Sequence, residues 1–167
     1  MPESALDVAK VQSPFSVHHE SITLQAERRT EFIDITDRVI GAVVDSGIQF
    51  GWVNIQTRHT TTAIVVNESE PLLLDDAEAL LERLAAANAD YRHNDMSIRT
   101  VNLVPDESPN GHSHCRAMLL GASETVNVVG GTLNLGKWQR IFLVELDGVR
   151  RREISLMIMG SSMEGCV

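Results

Sequence analysis

Beyond residue 111 the chain is a succession of β-forming runs cut by glycine-containing turns: HSHCRAMLLG, SETVNVVGG, KWQRIFLVELDG and VRRREISLMIMG. Short runs of apolar and β-branched residues bounded by turn residues read as strands. Strands joined by tight turns pair antiparallel. The Gly130-Gly131 and Asp147-Gly148 pairs supply the turns. WQRIFLVEL and REISLMIM are expected to form a hairpin around Asp147-Gly148.

The first half adds helices to this sheet. FSVHHESITLQA, residues 15–26, reads as a strand, followed by a turn at Glu27–Thr30 and the short alternating strand EFIDIT. Thr36 is placed to cap a helix with Val39, Ile40 and Val43 on one stripe, and Gly47 ends it. GWVNIQTRHTTTAIVVNE is rich in β-formers and supplies one or two strands. Pro71 then opens a helix in which Leu73, Ala77, Leu80, Leu81 and Leu84 recur at helical spacing. Residues 88–111 are polar and carry two prolines, an irregular loop of a length often kept for function. The expected class is α+β: a mostly antiparallel, β-sandwich-like core with two main helices.

Composition limits what such a fold does. The 167 residues suffice for one sizeable core, since a chain of this size buries about 70% of its unfolded surface. Lys and Arg number 14 against 23 Asp and Glu, a net charge of -9, which disfavours broad nucleic-acid binding. No apolar stretch approaches the roughly 20 residues of a membrane span, and the first residues lack the apolar region of a secretory signal. Two cysteines, Cys115 and Cys166, make no disulfide framework and fit a reducing cytoplasm. The expected organisation is a flexible extension at 1–14, one domain at 15–160 and a flexible tail at 161–167.

Histidines dominate the candidate chemistry. Strand alternation puts His112 and His114 on one face, followed by Arg116, and turns Cys115, Ala117 and Leu119 toward the core. A same-face histidine pair suits a metal or a phosphate. A third ligand from His93 or His59 would give a three-histidine site with an open position. These histidines read equally as polar residues at strand ends and in loops. His18 and His19 point to opposite faces and are structural or exposed. Asp95 is close enough to His93 to orient its ring. Glu68 reads either as a base or orienter, or as a cap for the following helix. Trp138 is available for stacking or for the core. Arg150, Arg151 and Arg152 form the densest positive run, with Arg150 and Arg152 on one face; they suit a phosphate, a solvated hairpin or a subunit salt bridge. P-loop, Rossmann, α/β-hydrolase and zincin motifs do not occur in the sequence.

Taken in order, His59-Thr60-Thr61, Asn67-Glu68, Tyr91-x-His93, Asn110-Gly111-x-Ser113-His114, Leu135-Gly136-x-Trp138-Gln139 and Glu145-x-Asp147-Gly148-x-Arg150-x-Arg152 resemble the YjbQ-like family. Its members are often named secondary thiamine-phosphate synthases. The resemblance spans roughly residues 15–160. Val149 stands where the family usually has Pro, Lys137 where it has Thr, and Arg116 where it has Lys.

The resemblance implies a homotrimer with a polar pocket holding His59, Glu68, His93, His114, Trp138, Gln139 and Arg150, to which Asn110 and Arg152 add phosphate-binding groups. It implies an activity that joins hydroxymethylpyrimidine diphosphate to thiazole phosphate with loss of pyrophosphate. His59, Glu68, His93 and His114 are the catalytic candidates. His59, His93 and His114 are the candidate ligands of a divalent metal, zinc or magnesium. Two other functions fit the same residues: a metal-dependent hydrolase of a phosphorylated or cyclic small molecule, and a non-catalytic trimeric binder of an anionic metabolite. The expected partner is a small phosphorylated molecule, with neither nucleic acid nor membrane, and the expected location is the cytoplasm.

Overall fold

Alternation and turn chemistry produce two antiparallel sheets in the computed structural model, which describes residues 15–104 and 107–162. The chain runs β1 (Phe15–Gln25), β2 (Glu31–Asp34), α1 (Thr36–Ser46), β3 (Ile48–Thr57), β4 (Thr62–Glu68), α2 (Pro71–Leu84), a short 3-10 turn (Arg92–Asn94), α3 (Gly111–Leu120), β5 (Ser123–Val129), β6 (Thr132–Leu133), β7 (Gln139–Glu145) and β8 (Arg151–Ser162). One sheet has the order β1-β8-β3-β5-β6 and the other β2-β7-β4. The α+β class with mostly antiparallel strands is as expected. Most of the extension at 1–14 and the tail, including Cys166, lies outside the described residues, while Ser161 and Ser162 continue β8.

The two sheets face each other across one apolar core. Ile55, Val53, Ile154, Leu156 and Ile158 line it from the large sheet, Ile64, Ile141 and Leu143 from the small one, and Val39 and Val43 of α1 close it. The other face of the small sheet is also covered. Ala63, Phe142 and Val144 meet Leu81 of α2 and Ala117 of α3 in a second cluster. This explains why Ile141–Val144 is a continuous apolar run: β7 is central and buried on both faces.

Several expectations need correction. β7 and β8 lie in different sheets, so Asp147-Gly148 is a crossing between sheets and not a hairpin turn. Gly130-Gly131 does close a hairpin, with Val129 opposite Thr132 and positive φ at both glycines. There are three α-helices among the described residues, because HSHCRAMLLG is helix α3 and not a strand. After Gly111 its buried positions, 112, 113, 116 and 117, follow helical spacing, but three of these four are polar. Cys115 and Leu119 are therefore exposed, and only Ala117 of the three faces the core. Thr36 lies inside α1; the Asp34 carboxylate caps the turn by accepting from the Thr36 N–H at 2.9 Å. Gly47 ends α1 in a left-handed conformation, as expected. In α2 only Leu81 is fully buried, and Leu80 and Leu84 are exposed.

Candidate functional site

Two of the connections between the sheets run side by side at one end of the sandwich. Residues 58–61 carry the chain from β3 to β4, and residues 146–150 carry it from β7 to β8. Pairing holds them side by side: Thr57 lies opposite Ile154, and Thr62 opposite Glu145. A buried ion pair ties the corners together. Arg152 donates from Nε and Nη2 to the two Glu145 oxygens at 2.5 and 2.6 Å, and from Nη2 to Thr61 Oγ1 at 3.2 Å. Glu145 Oε1 also accepts from the Leu146 and Asp147 N–H groups at 3.0 and 2.8 Å. Arg152 is thus the clamp of the corner as well as part of the cleft wall.

The third wall comes from α3 and the loop before it. The Asn94 side-chain oxygen accepts from the N–H groups of Asn110 and Gly111 at 3.1 and 2.9 Å, satisfying the start of α3. Gly111 packs against Tyr91 so closely that a Cβ there would sit 2.6 Å from the Tyr91 Cβ. That contact brings the rings of His93 and His114 to 4.6 Å between centroids. Arg99 staples the loop by donating to Glu107 Oε1 at 2.8 Å and to the carbonyls of His93, Val101 and Asn102.

The walls enclose a cleft of about 600 Å³. Of the expected site residues it takes in His59, His93, Asn110, His114, Arg150 and Arg152. His59 Nε2 accepts from the Glu153 backbone N–H at 2.9 Å, so its ring proton sits on Nδ1. Burial, and then Arg152, hold the His59 pKa below the ordinary histidine value. Burial, and then His93, do the same for His114. The four cleft arginines each have a carboxylate: Arg58 with Glu153, Arg99 with Glu107, Arg150 with Asp147, and Arg152 with Glu145. Asn110 Nδ2 donates to Asp147 Oδ2 at 3.2 Å.

Other expected residues fall elsewhere. Glu68 and Gln139 pair at the far end of the small sheet, six strand residues or about 20 Å from Thr62. Trp138 is 63% exposed under Lys137, neither in the core nor in the cleft. Glu68 does not cap α2; Glu70 does, accepting from Leu72 N and Leu73 N. Asp95 bonds Ser97 and not His93. His112 lies on the opposite side of α3 from His114, since two residues turn a helix by about 200°. Arg116 is buried against Glu82 and the Ala85 carbonyl rather than beside the histidines. Among the described residues no three His, Cys, Asp or Glu side chains are placed to share a metal ion. His59 spends its Nε2 lone pair on the Glu153 N–H, which leaves the neutral ring none for a metal shared with His93 and His114. Arg99, Glu107 and Asp147 are cleft residues the sequence reading passed over. Asp147 is hidden in a turn motif, and the other two lie in a loop without periodicity.

Fold and cleft together define the class: a two-sheet α+β protein with a histidine- and arginine-lined cleft where the sheets cross. Residues 20–161 match the family described as UPF0047 protein YjbQ-like, and the chain belongs to that family. It is 42% identical over 144 residues to a UPF0047 protein of Methanothermobacter thermautotrophicus, covering 86% of this chain and 93% of the relative. It is 30% identical over 148 residues to the UPF0047 protein YugU of Bacillus subtilis, covering 84% and 98%. A crystal structure of a YbjQ-like protein of unknown function from Sulfolobus solfataricus superposes with TM-score 0.80 at 36% identity, covering 89% of this chain and all of that one.

These names overturn one expectation. The relatives are called UPF0047 proteins, and the Sulfolobus structure is described as being of unknown function. Family membership brings the fold and not the joining of hydroxymethylpyrimidine diphosphate to thiazole phosphate, and the thiamine-phosphate synthase reading is withdrawn. No helix among the described residues is long and apolar enough to cross a membrane.

Proposed function

We propose that the cleft binds a small phosphorylated molecule and that His114 exchanges a proton with it, making the protein an enzyme of proton-transfer chemistry. The observation that carries this reading is the set of donors on one wall. Arg58 and Arg150 each commit one nitrogen to a carboxylate, and a guanidinium has five N–H groups, so several remain for an oxyanion. His59 adds its Nδ1 proton. Across the cleft His114 is held neutral near pH 7 by burial and by His93, which makes it a proton acceptor. A volume of about 600 Å³ suits a small metabolite.

Two attendant readings have support. The exposed thiol of Cys115 fits a reducing, cytoplasmic setting. Phe15, Val17, Phe50 and Trp52, exposed on the large sheet, fit assembly into a homotrimer.

Calorimetric titration with inorganic phosphate tests the reading. Wild-type protein is expected to bind it, and Arg150→Gln to bind it at least threefold more weakly. Absence of binding at 10-fold above about 1 mM phosphate, a weak affinity for one ion, contradicts it.

A further inference from the structure

Arg58, His59 and Arg150 account for part of the cleft lining. Among the described residues four buried side-chain polar atoms lack a hydrogen-bond partner: His93 Nε2, Glu107 Oε2, Asn110 Oδ1 and His112 Nδ1. Three of the four belong to residues that line this cleft. Buried polar atoms are nearly always paired, so three orphans at one cavity mark groups that a ligand satisfies. Two of them, Glu107 Oε2 and Asn110 Oδ1, are acceptors. They stand on the loop and at the start of α3, and Asn110 meets Arg150 at Asp147 Oδ2. The cleft therefore offers both donors for an oxyanion and, beside them, unsatisfied acceptors.

Charge decides what those acceptors take. Glu107 is neutralised by Arg99 at 2.8 Å, which also holds its carboxyl below the usual carboxylate range. Asp147 is neutralised by Arg150 at 3.2 Å. Asn110 carries no charge. An ammonium placed at Glu107 would sit beside the Arg99 guanidinium, a like charge. Uncharged donors fit, and these are hydroxyls.

We infer that the ligand is a phosphate ester of a polyol or sugar: its phosphate meets Arg58 and Arg150, and its hydroxyls donate to Glu107 Oε2 and Asn110 Oδ1. This rests on the phosphate reading above and adds the skeleton to it. A ligand without hydroxyls leaves the acceptors unpaired, and an unmade hydrogen bond to a buried group separates good from poor ligands by about tenfold or more.

The test is a calorimetric series on the wild-type chain with ribose 5-phosphate, n-propyl phosphate and ethanolamine phosphate. Ribose 5-phosphate is expected to bind at least tenfold more tightly than n-propyl phosphate, and more tightly than ethanolamine phosphate. In Asn110→Ala the first ratio is expected to fall below threefold. The wild-type series decides alone should that variant not fold. Equal binding of ribose 5-phosphate and n-propyl phosphate overturns the polyol inference and leaves the phosphate reading standing. Tighter binding of ethanolamine phosphate overturns the choice of hydroxyl over ammonium. Failure of all three to bind overturns the phosphate reading, and the inference with it.

Discussion

Replacing Arg152 by Met removes the clamp between the crossings at 58–61 and 146–150. Arg152 is 4% exposed and Glu145 is fully buried. The arginine contacts both carboxylate oxygens, and what remains to Glu145 after its removal is two backbone N–H groups on Oε1. Breaking a buried pair by removing one partner costs about 3–5 kcal/mol, because the other charge stays in the interior. For a chain of this size about 2–4 °C of melting temperature accompanies each kcal/mol, so a fall of roughly 6–20 °C is expected. The double variant Glu145→Gln, Arg152→Met removes the charge while its amide oxygen still serves the Leu146 and Asp147 N–H groups. It is expected to recover at least about 1 kcal/mol of the single variant's loss. Urea unfolding of wild type, both single variants and the double variant measures these differences. A loss below about 1 kcal/mol in Arg152→Met, within the range of an exposed pair, refutes the clamp. So does a double variant less stable than Arg152→Met.

Three further outcomes follow from the same geometry. Histidines of the unfolded chain titrate near about 6.5, and burial holds His59, His112 and His114 lower in the fold. The unfolded state thus takes up more protons; stability should fall as pH drops through 6.5, levelling off below the folded values, and His112→Gln should make the fall in melting temperature between pH 7.5 and 5.5 smaller. Gly111→Ala drives a methyl into Tyr91 and is expected to cost about 1–3 kcal/mol in urea unfolding. Cys115, in a Cys166→Ser chain, should react with an aromatic disulfide reagent without unfolding, and a thiol that reacts only in denaturant contradicts its exposure.

Much of the fold was readable because the strands follow simple rules. The 15–25 strand, the helix ending at Gly47 and the Pro71 helix stand close to where alternation, a left-handed glycine and an N-terminal proline put them. The misreading of α3 has a physical cause. Its buried face is His112, Ser113, Arg116 and Ala117, so a search for apolar periodicity finds no stripe, while Met118 and Leu119 face outward. The same error put His112 beside His114. The false hairpin at Asp147-Gly148 arose because local turn chemistry is blind to sheet partners: β8 pairs with β1, more than 120 residues earlier, and with β3, about 100 residues earlier. His59, His93, His114 and Arg150 were found as residue types of reactive character. Glu107, Arg99 and Asp147 were not, since each gains its role from a contact across the loop or the corner.

The most direct test of the cleft's role is to follow each histidine ring by NMR from pH 5 to 8, with and without inorganic phosphate, assigning His59 and His114 by single Gln variants. Without phosphate both should titrate below the ordinary histidine value. With phosphate seated on Arg58 and Arg150, its negative charge favours the imidazolium, so both midpoints should rise. Midpoints of His59 and His114 that phosphate leaves unmoved would contradict phosphate binding in this cleft.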